Sequence, residues 1–316
     1  MQKIILIPDS FKGTMSSAEI CEIMGERIRF WYPEAEVVQI PVADGGEGSV
    51  DAFLTAMTGE KVYATVKGPF MEDMQAFYGL IENGQTAVIE MAACAGLPLV
   101  GDAPNPLKAT TYGVGQLMAA AAQRGCKKII LGLGGSATND FGAGAAAALG
   151  IKFINAAGDS FIPTGGTLAE IVKIDKSGLL AELKSVEIVT MCDINNPLYG
   201  ETGAAYVFGP QKGASSDMVA YLDGQLRHVA KIVQAELGAD VSQLAGAGAA
   251  GGMGGGMVAF FGSQLRMGIE VVLDTVNFGE HLKGADLVIS GEGKIDSQSL
   301  SGKVVIGVAR RAKKQN

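Results

Sequence analysis

The sequence is poor in the residues from which metal, redox and covalent hydrolytic sites are commonly built. Its 316 residues include four cysteines, which lack Cys-x-x-Cys spacing, and two histidines, His228 and His281. Scattered cysteines in apolar or helical surroundings are typical of reduced, buried thiols. This composition argues against a Cys/His metal site and against a Ser-His-Asp triad, and it favours structural or solvent-exposed roles for both histidines.

Two widespread catalytic motifs are missing as well. A P-loop requires Gly-x-x-x-x-Gly-Lys followed by Ser or Thr, whereas the sequence reads Gly302-Lys303-Val304 and Gly293-Lys294-Ile295. No Gly-x-Ser-x-Gly nucleophile elbow occurs. The sequence therefore excludes a P-loop enzyme and gives no support to a serine hydrolase.

Long apolar runs and an excess of positive charge are also lacking. No run approaches the roughly 18 apolar residues of a membrane-spanning helix, and the start, MQKIILIPDSFKG, reaches a charged turn too early for a signal peptide. The net charge of −8 argues against nucleic acid and anionic membranes as partners. We predict a soluble, cytoplasmic protein, and a hydrophobic fraction of 48% predicts a sizeable core.

Glycine is abundant, with 45 residues gathered in discrete clusters. The chain is organised around residues 127–150, KKIILGLGGSATNDFGAGAAAALG. An apolar run predicts a buried strand, the glycines at 132–135 predict a tight turn close to a ligand, and four polar side chains precede a helix-forming segment at 142–149. This order directs backbone N–H groups and the positive end of a helix dipole towards an anion.

The same stretch keeps a dinucleotide site open as an alternative. Residues 132–137 fit Gly-x-Gly-x-x-Ala directly after a strand, but no acidic residue ends a following strand about 20 positions later. Residues 246–251 fit Gly-x-Gly-x-x-Gly but follow a poor strand. An NAD(P)-dependent oxidoreductase is one alternative function, and a non-catalytic module that binds a small acid or a nucleotide is another.

The order of predicted elements indicates an α/β protein. Two strand–helix pairs in residues 3–58 predict parallel strands with helical crossovers, and Ser16 with Glu19 predicts a capping box on the first helix. From about residue 60, strands joined by Gly-Pro and Asn-Gly turns predict an antiparallel or mixed sheet, which places a domain boundary there. We also expect residues 167–183 to be helical, with a break at Gly178.

Six glycine-flanked loops bring carboxylates or amides together, most of them with lysines or hydroxyls. They contain Asp9 and Lys12; Asp44 and Glu47; Ser136, Thr138, Asn139 and Asp140; Asp193, Asn195 and Asn196; Gln211 and Lys212; and Glu292, Lys294 and Asp296. Any single pair is typical of a solvated salt bridge, but six, several at strand ends, indicate a site. Phosphoryl transfer uses this inventory, because lysines bind phosphates, carboxylates bind Mg²⁺ and one carboxylate takes the acceptor proton.

Seven motifs, in order along the whole chain, carry a resemblance. They are IPDSFKG (7–13), VADGGEG (42–48), GLGGSATNDFGAG (132–144), CDINNPLYG (192–200), FGPQKGA (208–214), GAGAAGGMGGG (246–256) and SGEGKIDSQSLSGK (290–303). With these motifs the sequence resembles the bacterial glycerate kinases that phosphorylate D-glycerate from ATP. The resemblance implies an α/β fold of two domains: a Rossmann-like parallel-sheet domain formed by residues 1–60 plus 285–316, and an inserted mixed α/β domain of residues 61–284. Such kinases continue for several dozen residues beyond this chain, so the resemblance also implies that the first domain is incomplete at its C-terminus.

The implied activity is transfer of the ATP γ-phosphoryl group to D-glycerate, with Mg²⁺, in organic-acid (glycerate, glyoxylate or aldarate) catabolism by a monomer or homodimer. The product would be 2-phosphoglycerate, with 3-phosphoglycerate less favoured. Candidate catalytic residues are Asp44, Asp140, Lys212 and Lys294, with Asp44 or Asp140 as the base; Asp193 and Asp296 are candidates for Mg²⁺. Candidate substrate- or ATP-binding residues are Asp9, Ser10, Lys12, Gly45, Gly46, Glu47, Gly134, Gly135, Ser136, Thr138, Asn139, Asn195, Gln211, Gly291, Glu292 and Lys303. The turn at 132–135 and the helix after Asp140 would hold the phosphates, and Asp140→Asn would cost several powers of ten in turnover.

Overall fold

The computed structural model describes residues 2–11, 14–43, 45–294 and 304–314. Its strands are β1 Lys3–Leu6, β2 Glu36–Gln39, β3 Gly59–Lys67, β4 Asp73–Ile81, β5 Thr86–Glu90, β6 Lys128–Gly132, β7 Lys152–Ile154, β8 Ser160–Phe161, β9 Lys173–Asp175, β10 Glu187–Met191, β11 Gln264–Arg266 and β12 Leu287–Ile289. Its α-helices are α1 Ser17–Trp31, α2 Ser49–Ala56, α3 Ala92–Ala95, α4 Tyr112–Gln123, α5 Ala143–Ala148, α6 Ala204–Phe208, α7 Ser216–Leu237, α8 Ala249–Phe261, α9 Gly268–Thr275, α10 Phe278–Leu282 and α11 Val304–Lys313. Within these ranges, no helix is both long and apolar enough to span a membrane.

Two sheets contain parallel strands, and the smaller one combines β1 and β2 from the start of the chain with β12 from near its end. Its strand order is β12-β1-β2, all parallel, and Ile4 of the central strand pairs with Leu287 on one side and Val37 on the other. Parallel strands of this kind are buried on both faces and therefore read as continuous apolar runs, as Ile4 to Ile7 do. The α/β fold class is confirmed.

The larger sheet has the order β11-β10-β6-β5-β4-β3. Strands β3, β4 and β5 pair antiparallel, whereas β5, β6, β10 and β11 are parallel. This confirms the mixed sheet expected beyond residue 60. The division of the chain into two domains stays a prediction, and one apolar cluster spans both sheets, with Ile5 and Ile7 from the first and Val88 and Ile130 from the second.

The prediction for the start of the first helix is confirmed, whereas the prediction for segment 167–183 is not. The Ser16 side chain accepts the Glu19 N–H and the Glu19 side chain accepts the Ser16 N–H, which confirms the capping box. The helix expected over 167–183 is wrong. That segment forms two short 3₁₀ turns around β9, because Ile174 pairs with Phe153 of β7 in a third, small sheet and is buried there.

Candidate active site

A cavity of about 1050 Å³ lies at the carboxyl ends of parallel strands from both sheets. Its walls come from the segments that follow β1, β2, β6 and β10, together with the first turns of α1 and α2. In open parallel sheets this edge is where ligands bind. The predicted site residues that line the cavity are Ser10, Gly46, Glu47, Gly134, Gly135, Ser136, Asp193, Gln211 and Lys212.

The glycine loop after β6 approaches the loop after β2 at backbone distance. A Cβ atom on Gly134 would lie 2.5 Å from the Cα of Gly46, so any side chain there would force the two loops apart. Gly135 adopts a positive φ of 74°, which glycine tolerates without strain. The glycines expected to surround a ligand thus also serve to bring the two sheets together at the cavity.

Lys212 places a buried ammonium group against this loop. It ends the 3₁₀ turn Pro210–Lys212 and is 2% exposed. Its Nζ donates to Ser136 Oγ at 2.8 Å and to the Thr138 carbonyl at 2.7 Å. Burial lowers the pKa of Lys212 to about 7, while the negative charge of Asp140 acts in the opposite direction. A third N–H of the ammonium group is available for an anion in the cavity.

Asp140 is fully buried and binds the N-terminal ends of two helices, α4 and α5, behind the glycine loop. Its Oδ2 accepts the Thr111 N–H at 2.7 Å and the Thr111 hydroxyl at 2.8 Å, and its carboxylate also accepts N–H groups of Gly142 and Gly144. The helix after Asp140 was expected to hold a phosphate, and the Asp140 carboxylate would compete for that place, because it already accepts N–H groups at the N-terminus of α5. Asp140 does not line the cavity that the described residues form, which disfavours the predicted role of base.

A second buried carboxylate at the same sheet edge was missed. Glu90 ends β5, is 2% exposed, and accepts the Val50 N–H at 2.6 Å, so it caps α2 from the neighbouring sheet. Burial raises the pKa of Glu90, against hydrogen bonds from Val50 and Gly48. The only signal in the sequence is an acidic residue that closes an otherwise uncharged strand.

Among the described residues, three carboxylate residues line the cavity: Glu47, Asp51 and Asp193. Asp51, not predicted, pairs with Lys61 at 2.6 Å. Asp193 follows β10, and its Oδ1 accepts the Gly268 N–H at 2.6 Å, at the first residue of α9. Over the described part of the chain, no cluster of three or more His, Cys, Asp or Glu side chains could hold a metal ion by itself.

Other predicted residues are outside the lining of the cavity, as far as the described residues form it: Asp9, Gly45, Thr138, Asn139, Asn195, Gly291, Glu292 and Lys294. Some of these surround it indirectly, since the Asp9 N–H donates to the Gly291 carbonyl at 2.8 Å and joins the loops after β1 and β12. Asn195 and Lys294 are exposed. Four predicted residues, Lys12, Asp44, Asp296 and Lys303, lie outside the described residues.

Comparison with known proteins assigns the chain to a family. The sequence model of the glycerate kinase family matches residues 4–316. A glycerate kinase of Bacillus cereus is 49% identical over 312 residues, covering 98% of this chain and 82% of the relative. The glycerate 2-kinase of Escherichia coli is 47% identical, covering 99% of this chain and 82% of the relative.

A solved structure agrees with these sequences. The crystal structure of a protein described as glycerate kinase 2 of Salmonella typhimurium LT2 matches with a TM-score of 0.94 and 46% identity, over 100% of this chain and 84% of that one. Fold and site together define an ATP-dependent kinase without a P-loop, a phosphotransferase. The chain belongs to the glycerate kinase family.

Proposed function

We propose that the protein transfers the γ-phosphoryl group of ATP to the 2-hydroxyl of D-glycerate, giving 2-phosphoglycerate and ADP. The observation that carries this proposal is the buried Lys212 ammonium group, which borders a 1050 Å³ cavity beside the glycine loop. The choice of the 2-hydroxyl is supported by the 47% identity to the glycerate 2-kinase of Escherichia coli. We further propose that this reaction serves organic-acid catabolism in the cytoplasm, in a monomer or homodimer.

Lys212 is suited to bind the phosphoryl group during its transfer. Phosphoryl transfer passes through a state whose charge is spread over three equatorial oxygens, and catalysis rests on positioning and electrostatic stabilisation. An ammonium group that is already desolvated and fixed by Ser136 and Thr138 needs little reorganisation to meet that charge. Gly134, Gly135 and Ser136 line the same part of the cavity and bring backbone close to it.

Mg²⁺ fits the acidic side of the cavity. This ion is usually held in kinases by one or two protein carboxylates together with the substrate phosphates, so a cluster of three is not required. Asp193 and Glu47 both line the cavity and supply the oxygen atoms that Mg²⁺ prefers. When bound with ATP, the ion neutralises charge on the β- and γ-phosphate oxygens.

The acceptor hydroxyl needs a group that takes its proton. With Asp140 enclosed behind the loop, Asp44 remains the candidate from the sequence, and Glu47 is the neighbouring carboxylate that lines the cavity. Replacing each separately by the amide would distinguish them, since loss of the base lowers kcat more than it raises KM.

The test is an assay with ATP, Mg²⁺ and D-glycerate that follows ADP, with phosphorus NMR of the product. We expect a phosphorus signal that co-resonates with added 2-phosphoglycerate. A signal at the position of 3-phosphoglycerate would overturn the regiochemistry and leave the kinase intact. ADP formation with no dependence on D-glycerate would overturn the acceptor.

A further inference from the structure

The short segment 136–140 is held by a buried charge at each end. Lys212 donates to the Ser136 hydroxyl and the Thr138 carbonyl at its start. At its end, Asp140 accepts hydrogen bonds that join it to Thr111 at the start of α4 and to Gly142 and Gly144 at the start of α5. Lys212, which borders the cavity, and the Asp140 carboxylate behind it are therefore linked through the same five-residue segment.

The negative charge of Asp140 also compensates the buried positive charge of Lys212. In the described ranges Lys212 is the one cation among the buried residues, and it forms no ion pair there; its acceptors are neutral oxygen atoms. A buried ion without a compensating charge is strongly destabilising. Asp140 is the charged group that raises the pKa of Lys212 against the effect of burial.

Hydrogen-bond donors surround the Asp140 carboxylate. Thr111, Gly142 and Gly144 all present donors to the carboxylate, and the Thr111 hydroxyl itself accepts the Ala145 N–H at 2.9 Å, which leaves its proton for Asp140. Burial raises the pKa of Asp140, and these hydrogen bonds oppose that effect. If Asp140 were protonated, its O–H would be a further donor at a place where the donors of Thr111, Gly142 and Gly144 already converge.

We propose that Asp140 is a positioning residue of the kinase, which fixes segment 136–140 and supplies the negative charge that keeps Lys212 an ammonium ion facing the transferred phosphoryl group. This inference rests on the proposed function only for the identity of that group. Among the described residues, the other titratable groups that line the cavity with Lys212 are the Glu47, Asp51 and Asp193 carboxylates and the Cys192 thiol, and they are common to every variant below.

The first test is the pH profile of kcat/KM for ATP in Asp140→Asn. Removing the charge lowers the pKa of Lys212 below the wild-type value of about 7, so the limb that falls with rising pH moves to lower pH. For a shift of about one unit, from about 7 to about 6, the ratio of variant to wild-type activity is about sevenfold lower at pH 8 than at pH 5.5. Glu90→Gln is the matched control, because it also neutralises a buried capping carboxylate at this sheet edge. Its profile keeps the wild-type shape, and a ratio for Asp140→Asn that is constant with pH overturns the proposal.

Calorimetry gives a readout that needs no turnover. The non-hydrolysable ATP analogue with an imido group between the β- and γ-phosphates is titrated at pH 7 in two buffers of different ionisation enthalpy, and proton uptake is measured relative to Lys212→Met. A phosphate beside Lys212 raises its pKa, so wild type takes up about half a proton and Asp140→Asn more, because its lysine starts neutral. Equal uptake in the two overturns the proposal. This result does not depend on glycerate, so a failed acceptor assay and a failed positioning role are told apart.

A double-mutant cycle covers the case in which Asp140→Asn does not fold. Urea unfolding of Lys212→Met, Asp140→Asn and the double variant measures the coupling between the two charges. We expect the double variant to be more stable than Asp140→Asn alone, since it has no buried lysine that must either stay charged without a partner or give up its proton on folding. If Lys212→Met folds and neither protein carrying Asp140→Asn does, Asp140 supports the fold independently of Lys212 and its charge role is overturned.

Discussion

The Gly134 N–H donates to the Gly45 carbonyl at 3.0 Å, which joins the loop after β6 to the loop after β2. The two loops belong to different sheets, and both line the cavity. The contact is possible because neither loop has a Cβ atom at the point where they meet. The two sides of the cavity are therefore joined directly by a backbone hydrogen bond.

Gly134→Ala tests this contact. The φ angle of Gly134 is not in the left-handed region, so the effect of the added methyl group is steric: it would lie 2.5 Å from the Gly46 Cα. We expect turnover to fall about 100-fold as the loops separate, since a misplacement of roughly 1 Å costs that much. Gly224→Ala is the control: its Cβ meets open space within α7 and stabilises the helix by about 0.5–1 kcal/mol. Wild-type turnover in Gly134→Ala would show that the loops do not need this spacing.

Lys212→Met separates catalysis from stability. The variant keeps the length of the side chain and removes the ammonium group, so we expect turnover to fall by about 10³-fold, as when a principal electrostatic donor is lost. Replacing a buried ion by an apolar group of similar volume is often neutral for stability. Steady-state kinetics and urea unfolding measure the two effects. Activity within tenfold of wild type would remove Lys212 from the proposed mechanism.

Glu90→Gln should change how stability depends on pH. Burial raises the pKa of Glu90 above its unfolded value near 4.5, so the folded state holds the proton more tightly. Its contribution to stability is present at pH below 4.5 and is lost as pH rises through the raised pKa. The amide keeps an oxygen for the Val50 N–H and cannot ionise. We therefore expect the free energy of unfolding of the variant, relative to wild type, to increase from pH 4.5 to pH 7.5 in urea titrations; a constant difference would contradict the assigned cause.

Asp193→Asn tests the acidic side of the cavity. The amide oxygen can still accept the Gly268 N–H, so the fold is retained while a negative charge is lost. We expect the Mg²⁺ concentration at half-maximal rate to rise at least about tenfold, because loss of even an outer partner of a metal ligand lowers metal affinity about 10- to 100-fold. Asp223→Asn is the matched control. Asp223 also accepts a backbone N–H, from Gly200 at 2.6 Å, and lies outside the cavity lining. An unchanged Mg²⁺ requirement in Asp193→Asn would exclude this residue from the ion.

Local signals in the sequence were sufficient where a few neighbouring residues determine the structure. The capping box at Ser16 set the start of α1. The segment 167–183 failed because its conformation depends on pairing with β7, some twenty residues away in sequence. Pairing of that kind leaves no local pattern that distinguishes a short strand from a helix.

For the site, the sequence identified candidate residues, but it could not distinguish the carboxylates that line the cavity from those that support the fold. Asp193 lines the cavity and Asp140 does not, yet both follow a strand and lie in polar, glycine-containing segments. What separates them is which N–H groups face each one, and for Asp140 one of these comes from Thr111, 29 residues earlier. Glu90 was missed for the same reason, since the Val50 N–H that it accepts lies 40 residues before it.

The pairing of Ile4 with Leu287 has a consequence for how the enzyme is made. The loop after β1, with Ser10 at the cavity, is backed by β12 and by the Gly291 carbonyl that receives the Asp9 N–H. Nearly the whole chain must leave the ribosome before that neighbour exists, and such distant contacts form slowly. The side of the cavity that carries Ser10 therefore lacks its supporting strand and carbonyl until residues 287–291 have been synthesised.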